Sequence, residues 1–516
     1  MGAANRWSAK QRRLVTLGIF LVFIIVGFLL LEVGCRVIDL KQHDEYTRPG
    51  LDPAVRDLCK QRSQLIPEIM KSRGIPGVSV ALVDREGVLW GTGFGFTDYD
   101  RKTPVTRDTS FLICSMSKTF VALAVMCAVR DGLIDLDTPI TTYLPYFAIN
   151  SRFEADPQDK ITLRHLLNHT SGIPHEAPMG NGYQPSYSSL AEHANSIGST
   201  WLRFPVGAKW DYSGAAYDLV TYILEVQAQQ PFADYLEENV LRPLNMPNTT
   251  VDKAKIKADR TRAIGHASRH TKKIPLASDI PWVGAGGIYA SANDLARFIQ
   301  FFLNWGTVNG QHLLDEESIM VMYTPSVYRN YGLGVEIWKR SVGHGGAGLG
   351  FSSLMVWLPE YGFGGLVLIN EIDFNNFHSQ HWDWLTDLLR SILDEELIQK
   401  IEDSPERPAR LEPNDISPPR YQPPDPKTFT PYQESWKQYI GSYEFLLQGW
   451  ELRNYAKLAV ALGYNPNRIK VQEIDGYLCV DGSPVDEYRP GLFFTSAGDC
   501  LDFTGPIATW NYVILK

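Results

Sequence analysis

Ser115 and Lys118 stand three positions apart at the head of an apolar run, residues 120–129. On a helix that begins near Ser115, this spacing sets the hydroxyl and the amine on one face, one turn apart. The helix N-terminus lends partial positive charge to a hydroxyl that must become alkoxide-like. The run has no polar face before Arg130 and Asp131, so the helix is expected to be buried nearly all round. Burial strips water from the lysine amine and favours the neutral form that can take a proton. Ser-x-x-Lys is short enough that about one chance match is expected in a chain of this length, so the other residues must decide its meaning.

The elements that would position this pair read as follows. A helical pattern runs from Asp52 to about Ser72 and ends at Gly74-Ile75-Pro76-Gly77. Residues 78–83 and 88–95 read as strands joined by a hairpin connection at 84–87. Gly91, Gly93 and Gly95 open no helix, so they belong to a strand rather than a nucleotide loop. A section rich in proline, aromatic residues and helical pattern covers 136–248. Ser291 then caps an amphipathic helix over 295–303. Strand-like segments at 331–337, 353–358 and 365–369 surround a Gly-rich stretch at 342–350, and a helix at 384–401 closes the unit. Strands and a helix at both ends, with helices between, predict an α+β fold. It would be an antiparallel β-sheet flanked by helices, with a separate helical lobe.

The ends of the chain have a different character. Residues 14–31 carry no charge and are long enough to cross a bilayer. Arg6, Lys10, Arg12 and Arg13 precede them, which keeps a short tail, 1–13, cytosolic. An anchor at 14–32 would place the rest across the membrane; a cleaved signal peptide, giving a secreted protein, is the rival reading. Residues 402–431 hold nine prolines and read as an extended linker. Beyond it, 432–516 shows strand-like stretches at 439–443, 477–480 and 510–515, a small β domain. The catalytic unit is thereby bounded at 48–401.

A net charge of −9 argues against nucleic acid as a partner. The six cysteines have no zinc-ligand spacing, and no cofactor is expected. Cys114 and Cys127 read as packing residues of the buried helix. Cys479 and Cys500 lie in one small region and could pair outside the cytosol.

No Gly-x-Ser-x-Gly elbow is present, which weakens an α/β-hydrolase assignment. Several other short signatures occur in order. They are Ser115-Met116-Ser117-Lys118, Leu166-Leu167-Asn168-His169-Thr170-Ser171-Gly172, Tyr212-Ser213-Gly214, Leu241-Arg242-Pro243-Leu244-Asn245-Met246, Ala285-Gly286-Gly287-Ile288-Tyr289 and His344-Gly345-Gly346. Over roughly residues 53–393 the chain resembles the serine β-lactamase-related family of class C β-lactamases, D,D-peptidases and esterases.

That resemblance implies a mechanism. Ser115 would be acylated by a carbonyl substrate, with Lys118 and Tyr212 handling the proton; which of the two is the base stays open. The backbone N–H groups of Ser115 and Ala347 would hold the oxyanion, while Gly345 and Gly346 let substrate approach the strand. His344 would bias the cleft positively or orient the neighbours of Ser115. The family's Tyr-x-Asn is Tyr212-Ser213-Gly214 here, so the substrate-binding segment lacks its amide at Gly214. His344 also replaces the lysine of Lys-Thr-Gly enzymes. Both departures lean away from β-lactams and towards an ester, amide or D-amino-acid peptide, supplied by a small molecule or peptide. A catalytically silent relative that binds a peptide or partner protein, and an acyltransferase with the same nucleophile, are the alternatives.

Overall fold

The computed structural model describes residues 42–51, 53–98, 103–180, 188–267, 272–273, 283–308, 310–326, 330–338, 341–372, 423–444, 468–504, 509–510 and 513–514. The proposed tail and anchor, the helix expected at 384–401 and most of the proline-rich linker lie outside these residues. Among the described residues, no helix is long and apolar enough to cross a membrane.

The chain opens with strand β1 (Gln42–Thr47), helix α1 (Pro53–Arg73), and strands β2 (Gly77–Asp84) and β3 (Gly87–Gly95). The expected hairpin forms because Asp84 accepts from the backbone N–H of Glu86 at 2.8 Å and of Gly87 at 3.1 Å. Its carboxylate is gripped from behind by both guanidinium nitrogens of Arg48, at 2.8 and 2.7 Å. The sheet resumes much later with β4 (Glu336–Trp338), β5 (Ser341–Gly348), β6 (Phe351–Leu358) and β7 (Phe363–Ile369). Together these strands form one sheet in the order β1-β3-β2-β7-β6-β5-β4, with every neighbouring pair antiparallel.

The sheet thus takes in Gln42–Thr47, ahead of residue 48. Gln42-His43-Asp44-Glu45-Tyr46-Thr47 has no apolar alternation to announce a strand. What makes it one is pairing with β3, reinforced by Trp90 Nε1 donating to Glu45 at 3.0 Å.

Three helices matter for the site. Helix α2 (Ser117–Arg130) is buried from Ser117 through Ala128, as its apolar sequence demands. Helix α3 (Gly214–Ala228) packs beside it in the helical lobe. Helix α4 (Ala292–Leu303), capped by Ser291 through the N–H of Asp294, covers one face of the sheet. Phe120 of α2 stacks on Phe298 of α4 with ring centroids 3.9 Å apart, tying the helix that follows Ser115 to the layer over the sheet.

The C-terminal strands β8 (Gly441–Glu444), β9 (Arg468–Ile474), β10 (Tyr477–Val480), β11 (Ser483–Arg489), β12 (Leu492–Thr495), β13 (Cys500–Asp502), β14 (Thr509–Trp510) and β15 (Val513–Ile514) pair in chain order as a meander. Its core gathers Trp436, Ile469, Val471, Leu478, Val485 and Phe493. Thr430 and Tyr432 are already bonded to this sheet through Asp486 and Gly476, so its attachment starts inside the stretch read as linker. Cys479 and Cys500 are free thiols. They sit on β10 and β13 with two strands between them, and strand spacing of about 4.8 Å puts such positions beyond disulfide reach. The meander docks on the lobe through Trp201, whose ring centroid lies 5.3 Å from that of Tyr488, and through Arg203, paired with Asp499 at 2.7 Å.

Candidate active site

The turn that presents Ser115 is held from both sides before the helix begins. The Ile113 N–H donates to Ile288 O at 2.9 Å, and Ser353 Oγ of β6 donates to Ile113 O at 2.9 Å. Cys114 then takes φ +49, a left-handed conformation that costs a non-glycine residue about 1–2 kcal/mol. A 3-10 turn, Cys114–Met116, follows, and α2 starts at Ser117. This kink lifts Ser115 into partial exposure while its neighbours Cys114 and Met116 stay buried. Burial pushes the Cys114 thiol up to about 12, so it packs as a thiol.

Lys118 lies on the first turn of α2 with 1% of its surface exposed. Its Nζ is 3.2 Å from Ser115 Oγ and donates to Ala285 O at 2.5 Å. The same nitrogen stands 4.9 Å from the centre of the Tyr212 ring and 5.6 Å from that of Tyr217. Ala285 belongs to a short helical turn, Val283–Gly286, that is itself anchored. One carboxylate oxygen of Asp218 accepts from the N–H groups of Gly284 and Ala285, each at 3.0 Å. The other faces His193 Nε2 at 3.2 Å, and His193 Nδ1 donates to Met179 O at 2.5 Å. Burial works to lower the His193 imidazole, but Asp218 and the Met179 carbonyl outweigh it and hold it above the ordinary range.

Tyr212 is bracketed by one residue of the Asn168-His169-Thr170 signature. His169, at φ +62, takes the Asp211 N–H on its carbonyl at 2.9 Å and the Ser213 N–H on Nδ1 at 3.1 Å. Its ring packs 4.4 Å from that of Tyr212. Ser213, which the sequence places in the substrate-binding segment beside Tyr212, has its hydroxyl engaged within the protein. It is buried, its hydroxyl donates to Pro174 O at 2.8 Å, and it caps α3 by accepting from the Ala216 N–H. Gly214 opens α3, and a Cβ there would meet the His175 ring at 3.2 Å.

Strand β5 supplies the opposite wall. Gly346 is required where it stands, because a Cβ would meet Ile113 O at 2.1 Å. Its bareness lets β5 settle onto the turn before Ser115, with Gly345 buried beside it. Strand β4 pairs with β5 only as far as Gly343, so 344–348 have β6 on one side and the Ser115 turn on the other. Ala347 is partly exposed there, opposite Ser352 of β6.

His344 does not provide the positive bias expected of it. Burial, and then the charge of Lys118, push its imidazole down to about 3, so it is neutral at neutral pH. Nδ1–H donates to Gly345 O at 2.6 Å, and Nε2 accepts from Tyr331 Oη–H at 3.0 Å. Burial holds the Tyr331 phenol far above its ordinary range, so it remains a donor. The remaining role, fixing the strand beside Ser115, is the one this geometry supports.

Sequence reasoning missed Tyr331, Asp218, His193 and His175. Asp218 left a signal, an acid within the apolar first half of α3; the other three have no local pattern that distinguishes them.

The beta-lactamase family model matches residues 62–389. The chain belongs to the beta-lactamase family. Protein flp of Staphylococcus aureus (strain NCTC 8325 / PS 47) is 25% identical over 320 residues, 61% of this chain and 63% of its own length. Its counterpart in strain MW2 is 26% identical over 250 residues, 48% of this chain and 49% of its own length. The chain thus spans from about half to under two thirds of these relatives. The putative penicillin-binding protein PbpX of Bacillus subtilis (strain 168) is 28% identical over 301 residues, 57% of this chain and 70% of its own. Among solved structures, an octameric penicillin-binding protein homologue from Pyrococcus abyssi superposes with TM-score 0.54 at 19% identity, covering 87% of this chain and 95% of that one. EstCE1, a hydrolase with promiscuous acyltransferase activity, gives TM-score 0.55 at 18% identity, covering 66% of this chain and 100% of that one. These likenesses show a shared family fold, that of beta-lactamase-type serine hydrolases.

Proposed function

We propose that this chain is a serine hydrolase that cleaves an ester, amide or D-amino-acid peptide bond through an acyl-enzyme on Ser115. The observation that carries the reading is the buried Lys118 amine 3.2 Å from the partly exposed Ser115 hydroxyl, with the Tyr212 ring beside it. Ser115 Oγ attacks the substrate carbonyl while its proton passes to a neutral Lys118 amine or to a Tyr212 phenolate next to charged Lys118. The backbone N–H groups of Ser115 and Ala347 stabilise the oxyanion. Collapse of the tetrahedral intermediate breaks the bond to the leaving group, which departs with that proton. Water then repeats the sequence in reverse and releases the acid. The substrate is a small molecule or a peptide, reached by a catalytic unit that residues 14–32 anchor on the non-cytosolic side of a membrane, or that is secreted if this segment is cleaved.

The test exposes the protein from Gln42 onward to a series of nitrophenyl acyl esters and to a labelled penicillin, with Ser115→Ala alongside. Turnover or labelling that vanishes in the variant is expected. Identical behaviour of the two proteins would leave a silent peptide-binding relative as the better description.

A further inference from the structure

His175 is placed to do what position 214 cannot. Gly214 offers no side chain to a substrate, and the space beside it belongs to the His175 ring, which a Cβ at 214 would meet at 3.2 Å. The ring is fixed by the start of α3. The Gly214 N–H donates to His175 Nδ1 at 3.1 Å, and the Ala215 N–H donates to the His175 carbonyl at 2.9 Å. Together with the cap from Ser213 to Ala216, these bonds satisfy three helix-start donors in succession. An imidazole whose Nδ1 accepts must carry its proton on Nε2.

That second nitrogen has no protein partner among the described residues, and the residue is exposed. The His175 ring meets Tyr212 edge-to-face with centroids 5.7 Å apart. Tyr212 in turn lies against Lys118, so one aromatic ring stands between His175 and the Ser115–Lys118 pair. Solvent reaches the ring, yet the protein crowded around it, and then the charges of Lys118 and Arg203, hold it below the ordinary imidazole range. It is therefore neutral at neutral pH, with one donor and one acceptor.

We propose that His175 Nε2–H is a substrate-reading donor: it selects acyl groups that present a carbonyl oxygen beside the scissile bond, as N-acylated amino acid esters do. The proposal rests on the hydrolase reading above and adds the chemistry of the acyl side. A donor held by two helix-start bonds loses little freedom when it binds. A substrate lacking the oxygen leaves this N–H without a partner once the cleft closes around it.

The experiment compares the nitrophenyl ester of N-acetyl-alanine with the matched alkyl ester lacking the amide. In the wild-type protein the first is favoured in kcat/KM. His175→Phe, which keeps a ring but no donor, is expected to reduce that preference by about tenfold or more. His175→Gln, which keeps an N–H at similar reach, restores part of it. An equal loss for both esters in His175→Phe would reduce His175 to a prop for α3, and an unchanged ratio would remove it from recognition; either result overturns the proposal. A second arm needs no turnover. In a Ser115→Ala background, calorimetry should show the methyl ester of N-acetyl-alanine losing about tenfold in affinity on adding His175→Phe, relative to the alkyl ester. Equal weakening, or none, overturns the proposal even where esters are not hydrolysed. Failure of the hydrolase reading shows separately, as turnover that survives Ser115→Ala.

Discussion

The two walls of the cleft are built by different physics. On the sheet side, Ser115 is placed mainly by backbone: the Ile113 N–H is bonded to Ile288 O, Cys114 is turned left-handed, and β5 rests on the turn through Gly346, with the Ser353 hydroxyl adding one side-chain bond. On the lobe side, side chains take a larger share in placing Tyr212: the His169 ring accepts from the Ser213 N–H and packs on the Tyr212 ring, its carbonyl accepts from the Asp211 N–H, and the His175 ring accepts from the Gly214 N–H at the head of α3. Backbone placement rests on a turn and on contacts that survive most single side-chain substitutions. Side-chain placement can be re-cut residue by residue. Chemistry is accordingly expected to depend on the first wall and selectivity on the second.

The most damaging test of this contrast is at the junction of the walls. Lys118→Met keeps the buried volume but removes the amine, and the acylation rate should fall by about 10²–10⁴-fold in single-turnover kinetics. A fall of only a few-fold would move the proton-handling role to Tyr212.

Asp218→Ala should come next. It leaves His193 without its carboxylate and the Gly284 and Ala285 N–H groups without an acceptor. Losing one member of such a buried pair costs about 3–5 kcal/mol, readable as a drop in the denaturation midpoint. Because Ala285 O receives Lys118, acylation should fall along with stability.

Acid should then expose His344. Its folded-state imidazole is held at about 3, below its unfolded value. Between those two values the unfolded chain binds the extra proton and the folded one does not. The stabilising contribution is present above the unfolded value and is lost as pH falls towards 3, by at most about 1.4 kcal/mol per pH unit. Denaturant titrations between neutral pH and pH 4 should show that slope, and His344→Gln should flatten it. Parallel slopes would place the acid sensitivity elsewhere.

The smallest effect should come from the C-terminal meander. Arg203 bridges Asp211, next to Tyr212, and Asp499 of the meander at 2.6 and 2.7 Å. These groups are partly exposed, so Asp499→Ala should cost no more than about 1 kcal/mol. A change confined to KM would show that the meander steadies the selective wall; a collapse of kcat would contradict the division of labour.

The same contrast explains what was legible in the sequence. Ser115 and Lys118 stand out because a hydroxyl and an amine open an otherwise apolar helix, and Gly346 because bare backbone is needed where two segments touch. The sheet was readable wherever a strand alternates or is apolar throughout, as β2 and β7 are, and unreadable at β1, whose polar residues gain strand structure only from β3. Charge state and tautomer were hidden. His344 is neutral because of its burial and the nearby charge of Lys118, neither of which its sequence neighbours announce, and the role of His175 depends on the emptiness of Gly214. The helix cap formed by Ser213 was hidden as well, because the residue lies inside the Tyr212-Ser213-Gly214 signature.

The central claim is that Ser115 becomes acylated. Acid-quenched incubation with an activated acyl ester, followed by peptide mass mapping, tests it most directly. The account predicts one acyl increment on the peptide that carries Ser115, absent in Ser115→Ala and slowed in Lys118→Met. Turnover without any adduct on that peptide, or an adduct that persists in Ser115→Ala, would contradict it.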